Sequence, residues 1–342
     1  MDRYSRQIRF AGIGQAGQER LAKSRVLLVG CGALGSSLAE TLVRAGVGFL
    51  RLVDRDFVDL SNLQRQVLYD EQDVAERLPK AIAATRKLER INSTVQIEPH
   101  VADVDPRNIL QLAEGVDLLL DGLDNFETRF LLNDVAMEKS LPYVYAGVVG
   151  SHAQTMTILP GQTACLRCLV DGIPEPGTTP TCDTAGVIAP AIQAITAFQA
   201  TAVLQILTGQ THLIRPTLTI LDVWEHTFRE LQMTSLVEAG GCPTCTGGRR
   251  DFLRGQATTQ SIVLCGRNSV QVAPAEKVLL SLETLQQRLS SLGTATANPF
   301  LLRFQPAGEA LELTIFRDGR AIVQGTEDPV QARNCYTRYL GN

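Results

Sequence analysis

Arg25-Val26-Leu27-Leu28-Val29-Gly30-Cys31-Gly32-Ala33-Leu34-Gly35 leads into an apolar-periodic stretch to Ala45, and Phe49-Leu50-Arg51-Leu52-Val53-Asp54 follows it. An apolar run rich in branched side chains breaks into Gly30-x-Gly32-x-x-Gly35. A second apolar run then ends on an acid. This is the order strand, glycine turn, helix, strand, acid, which defines a nucleotide-binding βαβ unit. Gly30 and Gly32 let the backbone turn tightly and approach phosphates, and Gly35 lets helix and strand pack closely. The helix N-terminus offers free N–H groups and a positive dipole end to an anion. Asp54 is placed to accept hydrogen bonds from ribose hydroxyls. The pattern shows that a nucleotide binds without showing which one.

Working outward, Asp54-Arg55-Asp56 and Asp59-Leu60-Ser61-Asn62-Leu63-Gln64-Arg65-Gln66 lie just past a strand's C-terminal end, where open α/β sheets place their ligands. Leu78-Pro79-Lys80 opens a long helix through Arg90, with Pro79 suited to its first turn. Arg65 and Lys80 thus stand as two cations near the mouth of a phosphate site. Val95–Pro99 and Val116–Leu120 read as further strands. The second ends in Asp121-Gly122-Leu123-Asp124-Asn125, ahead of a helix over Phe126–Lys139. Asp124 or Asn125 suits capping of that helix. A carboxylate at that edge also suits Mg²⁺ held between protein and nucleotide. Tyr143–Val149, Thr155–Leu159 and Leu218–Asp222 continue the alternation. The expected fold class is α/β: a Rossmann-like, mixed and largely parallel sheet with helices on both faces.

The chain has 342 residues, enough for a full core and two domains. It is 44% hydrophobic and 20% charged, with net charge −4, and carries no basic tract, which argues against nucleic-acid binding. Met1 to Arg6 lacks the layout of a signal peptide. Val187–Leu207 is broken by Pro190, Gln193, Gln199 and Gln205, so it reads as a buried core helix rather than a membrane span. A cytoplasmic location follows.

Four of the eight cysteines fall as Cys165-Leu166-Arg167-Cys168 and Cys242-Pro243-Thr244-Cys245. Two such knuckles match a closed, structural Cys₄ zinc site. A redox dithiol explains one knuckle but not two. Between them, a Gly/Pro/Thr stretch without periodicity runs into Cys182-Asp183-Thr184 and reads as a crossover loop. Cys182, ahead of a helix N-terminus, is either a reactive thiol or a small packing residue. A boundary falls at Gly247-Gly248-Arg249-Arg250. It separates a domain over residues 1–248 from a small α+β domain over residues 255–342. The small domain has strands near 261–265, 269–272 and 300–304, a hairpin across Asp318-Gly319, and two helices. It shows no constellation of acids, histidines or metal ligands.

These residues together resemble the ThiF/MoeB family, adenylyltransferases for ubiquitin-like sulfur-carrier proteins. The likeness runs from Tyr4-Ser5-Arg6-Gln7 through the glycine turn, Ser61 to Gln66, Pro79-Lys80, Asp124-Asn125, both knuckles and Cys182, about the first 248 residues. It implies a homodimer built on a mixed eight-stranded sheet. Mg²⁺ and ATP would convert the C-terminal glycine carboxylate of a carrier ending in Gly-Gly into an acyl-adenylate, releasing pyrophosphate. Asp54, with Asp56 and Asn125 beside it, would serve the nucleotide, Asn62, Arg65 and Lys80 the phosphates, and Asp124 the Mg²⁺. Arg6 would reach the neighbour's ATP. Cys182 would be joined to the carrier in an acyl-disulfide, and a sulfur donor such as a cysteine desulfurase becomes a further partner. The tail resembles an extension of longer bacterial members, and no function is read through it. Together with Cys182 it favours thiamine thiazole synthesis over molybdopterin or another thiolation route. An NAD-dependent oxidoreductase would share the turn and Asp54 but leaves Arg65, Lys80 and Asp124 unexplained. A non-catalytic nucleotide-binding adaptor would not need the cations or Asp124.

Overall fold

The computed structural model describes residues 3–170, 172, 185–255, 262–264, 268–273 and 279–340. The chain forms two compact units, Met1–Ala257 and Thr258–Asn342.

The first unit is built on an eight-stranded sheet in the order β3-β2-β1-β4-β5-β6-β7-β8. The strands are β1 Arg25–Val29, β2 Phe49–Val53, β3 Gln96–His100, β4 Leu118–Asp121, β5 Tyr143–Val149, β6 His152–Ile158, β7 Thr217–Asp222 and β8 Thr227–Gln232. β3, β2, β1, β4 and β5 run parallel, and β6, β7 and β8 continue antiparallel. The sheet is therefore mixed and largely parallel, as its sequence leads one to expect. Central strands are buried on both faces, so β1 and β4 are nearly pure Leu and Val. Pro99 cannot donate to a ladder, and it sits in β3, the outermost strand, where only β2 pairs with it.

The chain leaves β1 toward β2 and β3 on one side, and returns to β4 on the other. The C-terminal ends of β1 and β4 thus flank the reversal at which such sheets open a ligand crevice. Three glycines meet there. A Cβ at Gly35 would lie 1.9 Å from the Gly30 oxygen, and one at Gly122 would lie 2.3 Å from the same atom. Gly30 itself holds φ +90°. Helix Ala33–Ala45 can start directly on the strand only because these positions carry no side chain.

Helix Ala189–Leu207 differs from the expectation of a buried core helix. It packs on helix Ala33–Ala45 and on β5 and β6. Only 44% of its most apolar window is buried, and Phe198 is 43% exposed, stacked on Phe228 of β8. Of the glutamines that interrupt its sequence, Gln193 is exposed, whereas Gln199 is buried and donates to the Asp121 carbonyl. β8 carries no sequence signal of a strand, because all six of its residues are exposed and leave no inward row.

The second unit is a six-stranded antiparallel sheet, ordered β11-β12-β13-β14-β10-β9, with helices Leu282–Leu289 and Pro329–Leu340. Its strands are β9 Ile262–Leu264, β10 Ser269–Val272, β11 Gly293–Ala297, β12 Leu301–Pro306, β13 Glu312–Phe316 and β14 Ala321–Gln324. Phe304, Leu313, Ile315 and Val323 pack with Leu285, Leu289, Cys335 and Tyr336 into its core. The hairpin turns at Asp318-Gly319, where Gly319 has φ +84° and accepts the Tyr336 hydroxyl at 2.6 Å.

The glycine contact carries a test. Gly35→Ala and Gly122→Ala are each expected to lower unfolding free energy by about 2 kcal/mol, the scale of overpacking. Because both methyl groups press on one oxygen, the double variant should lose less than the sum. Denaturant titration of the three variants measures both effects.

Candidate active site at the sheet reversal

The glycine turn is held from below by side chains. Gly30 N–H donates to Val53 O at 2.8 Å, tying the turn to β2. Asp54, at the end of β2, accepts from Cys31 N–H at 2.6 Å and from Asp56 N–H at 2.7 Å. Burial raises the Asp54 carboxyl above the usual carboxylate range, with Lys80 opposing the rise. Asp54 is thus part of the turn's scaffold. Among the described residues, the N–H groups of Gly32, Ala33, Leu34 and Gly35 find no acceptor, whereas Ser36 N–H bonds back to Gly32 O at 2.9 Å. Four convergent donors at a helix start are an anion cradle.

The segment after β2 closes on itself before it faces the cradle. Leu60–Asn62 is a short 3-10 turn capped by Asp59, and the Asn62 side-chain oxygen accepts the Asp59 N–H at 3.2 Å. Asn62 is buried, so the end left to donate is its NH₂ group. Arg65 is half-buried and donates to Ser61 O at 2.9 Å. Gln66 is 3% exposed; its amide nitrogen lies 3.9 Å from where a Cβ on Gly32 would be, and its Oε1 has no hydrogen-bond partner. A buried, unpaired amide oxygen beside an empty-handed glycine turn fits a site shaped for a polar ligand.

Lys80 opens helix Lys80–Ile91 and is buried. Its Nζ lies 3.2 Å from Asp56 Oδ2, and its N–H donates to Asp56 O at 2.9 Å. Two residues expected to serve the ligand therefore hold each other. Arg55 adds a further cation, paired with Asp103 at 3.0 Å and electrostatically coupled to Asp124.

At the end of β4 the two capping candidates separate. Asn125 caps helix Phe126–Lys139, its Oδ1 accepting Thr128 N–H at 3.0 Å. Asp124 is exposed, and its charge is felt by Arg55 and Arg129. Under this loop lies a buried cluster that sequence reasoning did not find. Arg129 bonds Asp121 Oδ2 at 3.1 Å, Leu123 O at 2.6 Å and Ala146 O at 2.7 Å. Tyr143 donates to Asp121 Oδ2 at 2.9 Å. Burial raises the Asp121 carboxyl, and Arg129 opposes that. The pair thus welds β4, β5 and the Asp124 loop together. Tyr69, also missed, donates its hydroxyl to Cys31 O at 2.7 Å. Asn62, Gln66 and Tyr69 are all buried in this segment.

Arg6 lies elsewhere. Its helix, Ser5–Ile8, is tied by Gln7 to Ala45 O at 2.8 Å, at the far end of helix Ala33–Ala45 from the glycine turn. That helix spans roughly 20 Å, so one chain does not bring Arg6 to its own cradle. Cys182 lies outside the described residues.

The four knuckle cysteines do come together. Cys165, Cys168, Cys242 and Cys245 place their Sγ atoms within 4.8 Å of one another, with contacts of 3.6, 3.9 and 3.4 Å. Tetrahedral zinc thiolate requires about 3.8 Å between sulfurs, so the donor set fits zinc. Cys165 follows β6, whose end pairs with the start of β5, so the cluster lies at the opposite edge of the sheet from the glycine turn. The middle of helix Phe126–Lys139 anchors the first knuckle and the segment after the second: Leu166 N–H donates to Asn133, and Phe252 and Leu253 N–H donate to Asp134. Burial pushes the Asp134 carboxyl up to about 6. Phe130 and Phe252 stack at 4.8 Å with Arg167 over both rings.

A doubly wound sheet, an anion cradle at its reversal, facing cations and a remote thiolate cluster define a nucleotide-handling protein of the adenylate-forming type. The ThiF family profile matches residues 4–244, and the chain belongs to the ThiF family. It is 42% identical over 340 residues to the sulfur carrier protein ThiS adenylyltransferase of Bacillus subtilis, covering 99% of each chain. It is also 38% identical over 253 residues to the SAMP-activating enzyme E1 of Haloferax volcanii, covering 74% of this chain and 92% of that one. Among solved structures, E. coli MccB with ATP superposes with TM-score 0.60 at 23% identity, covering 72% of this chain and 74% of that chain. This last likeness is one of fold.

Proposed function

We propose that the chain uses ATP to adenylylate the C-terminal glycine carboxylate of a ubiquitin-like sulfur-carrier protein, in the service of thiamine thiazole synthesis. The observation that carries this reading is the likeness to the ThiS adenylyltransferase along 99% of both chains, second unit included. The match to the relative from Haloferax covers only 74% of this chain, which favours the thiazole route over other thiolation routes.

The site chemistry supports it. A carboxylate oxygen of the carrier attacks the α-phosphorus of ATP, the P–O bond to the β-phosphate breaks, and pyrophosphate leaves with that electron pair. The attacking terminal carboxyl has a solution pKa of about 3.5, so it arrives ionised and no general base is needed. The barrier is the approach of an anion to an anion, and preorganised positive charge lowers it. The turn's N–H groups and the Asn62 NH₂ receive phosphate oxygens. Arg65 and Lys80 balance the triphosphate, with Lys80 turning from Asp56 toward the incoming charge. In a homodimer the partner subunit's Arg6 would complete the cation set, which is how a residue a helix length from its own cradle serves catalysis. The exposed Asp124 would hold Mg²⁺, and the ion would supply further charge neutralisation. Zinc in the Cys₄ cluster would be structural, because all four of its coordination positions are taken by protein.

Arg65→Ala and Asp124→Ala are expected to keep thermal stability within about 1 kcal/mol of the parent, since neither side chain is buried. Each should lower carrier-dependent ATP–pyrophosphate exchange by roughly a hundredfold or more. Parent-level exchange in either variant contradicts the assignment.

Metal analysis is expected to return one zinc per chain, lost in Cys165→Ser, and chelation should lower the melting temperature because metal binding is coupled to folding. A purified, folded protein free of zinc would count against the structural role.

A further inference from the structure

We propose that Tyr69 is a positioning residue that selects for phosphate by fixing the direction of one peptide group in the glycine turn. The proposal rests on the reading of the turn as an ATP cradle.

Tyr69 is 7% exposed, and its hydroxyl lies 2.7 Å from Cys31 O and 3.3 Å from Lys80 O. A phenol has one hydrogen, and it goes to the nearer acceptor. On its other side the Cys31 backbone gives its N–H to Asp54 at 2.6 Å. Cys31 is therefore gripped at both ends by side chains from two different segments. In a trans peptide the carbonyl and the following N–H point in opposite directions. Holding Cys31 O against Tyr69 consequently turns the Gly32 N–H away from Tyr69, to the side where it and the next three N–H groups find no acceptor among the described residues.

Without that hold, the Cys31–Gly32 peptide would be free to flip, because glycine at position 32 imposes little steric resistance. The flip exchanges a donor for an acceptor. A carbonyl oxygen would then face the phosphates, and an anion cradle would become locally repulsive. The Lys80 carbonyl, 3.3 Å from the same hydroxyl, is left without its hydrogen, so the hold is on the Cys31 carbonyl alone. Burial, with the negative charges of Asp54, Asp73 and Asp56 nearby, raises the phenol well above its ordinary value, so it keeps the hydrogen it must donate.

Tyr69→Phe removes this oxygen and leaves the ring that fills the site. Binding of ATP and of adenosine to the full chain is compared by calorimetry, alongside pyrophosphate exchange with a carrier protein. Adenosine lacks phosphates and should bind as it does to the parent. ATP affinity should fall about tenfold, the worth of a hydrogen bond to a charged group, and exchange should fall at least as far. Unchanged ATP affinity overturns the proposal. Equal weakening of ATP and adenosine, or loss of both, also overturns it, since Tyr69 would then serve the fold alone. If the parent protein shows no exchange with any carrier, the adenylyltransferase reading fails whatever Tyr69 does. If the parent exchanges and Tyr69→Phe matches it, only the role of Tyr69 fails.

Discussion

Backbone meets backbone at the sheet reversal with no side chain between: Gly30, Gly35 and Gly122 approach so closely that a single methyl group on Gly35 or Gly122 would overlap the Gly30 oxygen. This contact lets helix Ala33–Ala45 begin within the diameter of the β1–β4 gap. It aims the helix's unsatisfied N–H groups at the crevice, and it brings the Asp124 loop to the same place. Asp54, Tyr69, Gln66 and the Lys80 helix all converge on that turn. Their arrangement has meaning only because the turn is where it is.

The charges around it are largely compensated at rest. Lys80 is held by Asp56, Arg55 by Asp103, and Arg129 by Asp121. Such pairs avoid the cost of isolated charges in a partly buried site. A polyanionic ligand would therefore have to bind by exchange, taking over a cation from a carboxylate already there. Arg129 is the exception in kind: it is fully enclosed and bonded to two carbonyls as well as Asp121, so its role is to hold the β4 end rigid beneath Asp124.

Features encoded within a few residues were legible in the sequence. The glycine turn with its flanking strands, the closing Asp54 and the C-x-x-C knuckles each announce a local geometry. Even the two-way choice at Asp124 and Asn125 was posed correctly, and the structure resolves it in favour of Asn125 as the cap. Features made by pairing across the fold were not legible. Arg129 reads as one more helical arginine until Asp121, Leu123 and Ala146 surround it, and Tyr69 reads as a loop aromatic until Cys31 O is placed beneath it. β8 escaped because an exposed edge strand carries no buried alternation. Pro190 and the glutamines that interrupt Val187–Leu207 argue for a core helix over a membrane span, yet they do not say which face of helix Ala189–Leu207 meets the core.

The central claim is that this cradle directs a carboxylate onto the α-phosphorus of ATP. It is tested most directly by isotope transfer. A carrier protein whose C-terminal carboxylate is labelled with oxygen-18 is incubated with enzyme and ATP, and the acyl-adenylate is then released with a thiol, which attacks the carbonyl carbon. One labelled oxygen is expected in the phosphoryl group of AMP and none in pyrophosphate, because the bridging oxygen originates from the carrier. Unlabelled AMP, or cleavage of ATP to ADP and phosphate, would contradict the account.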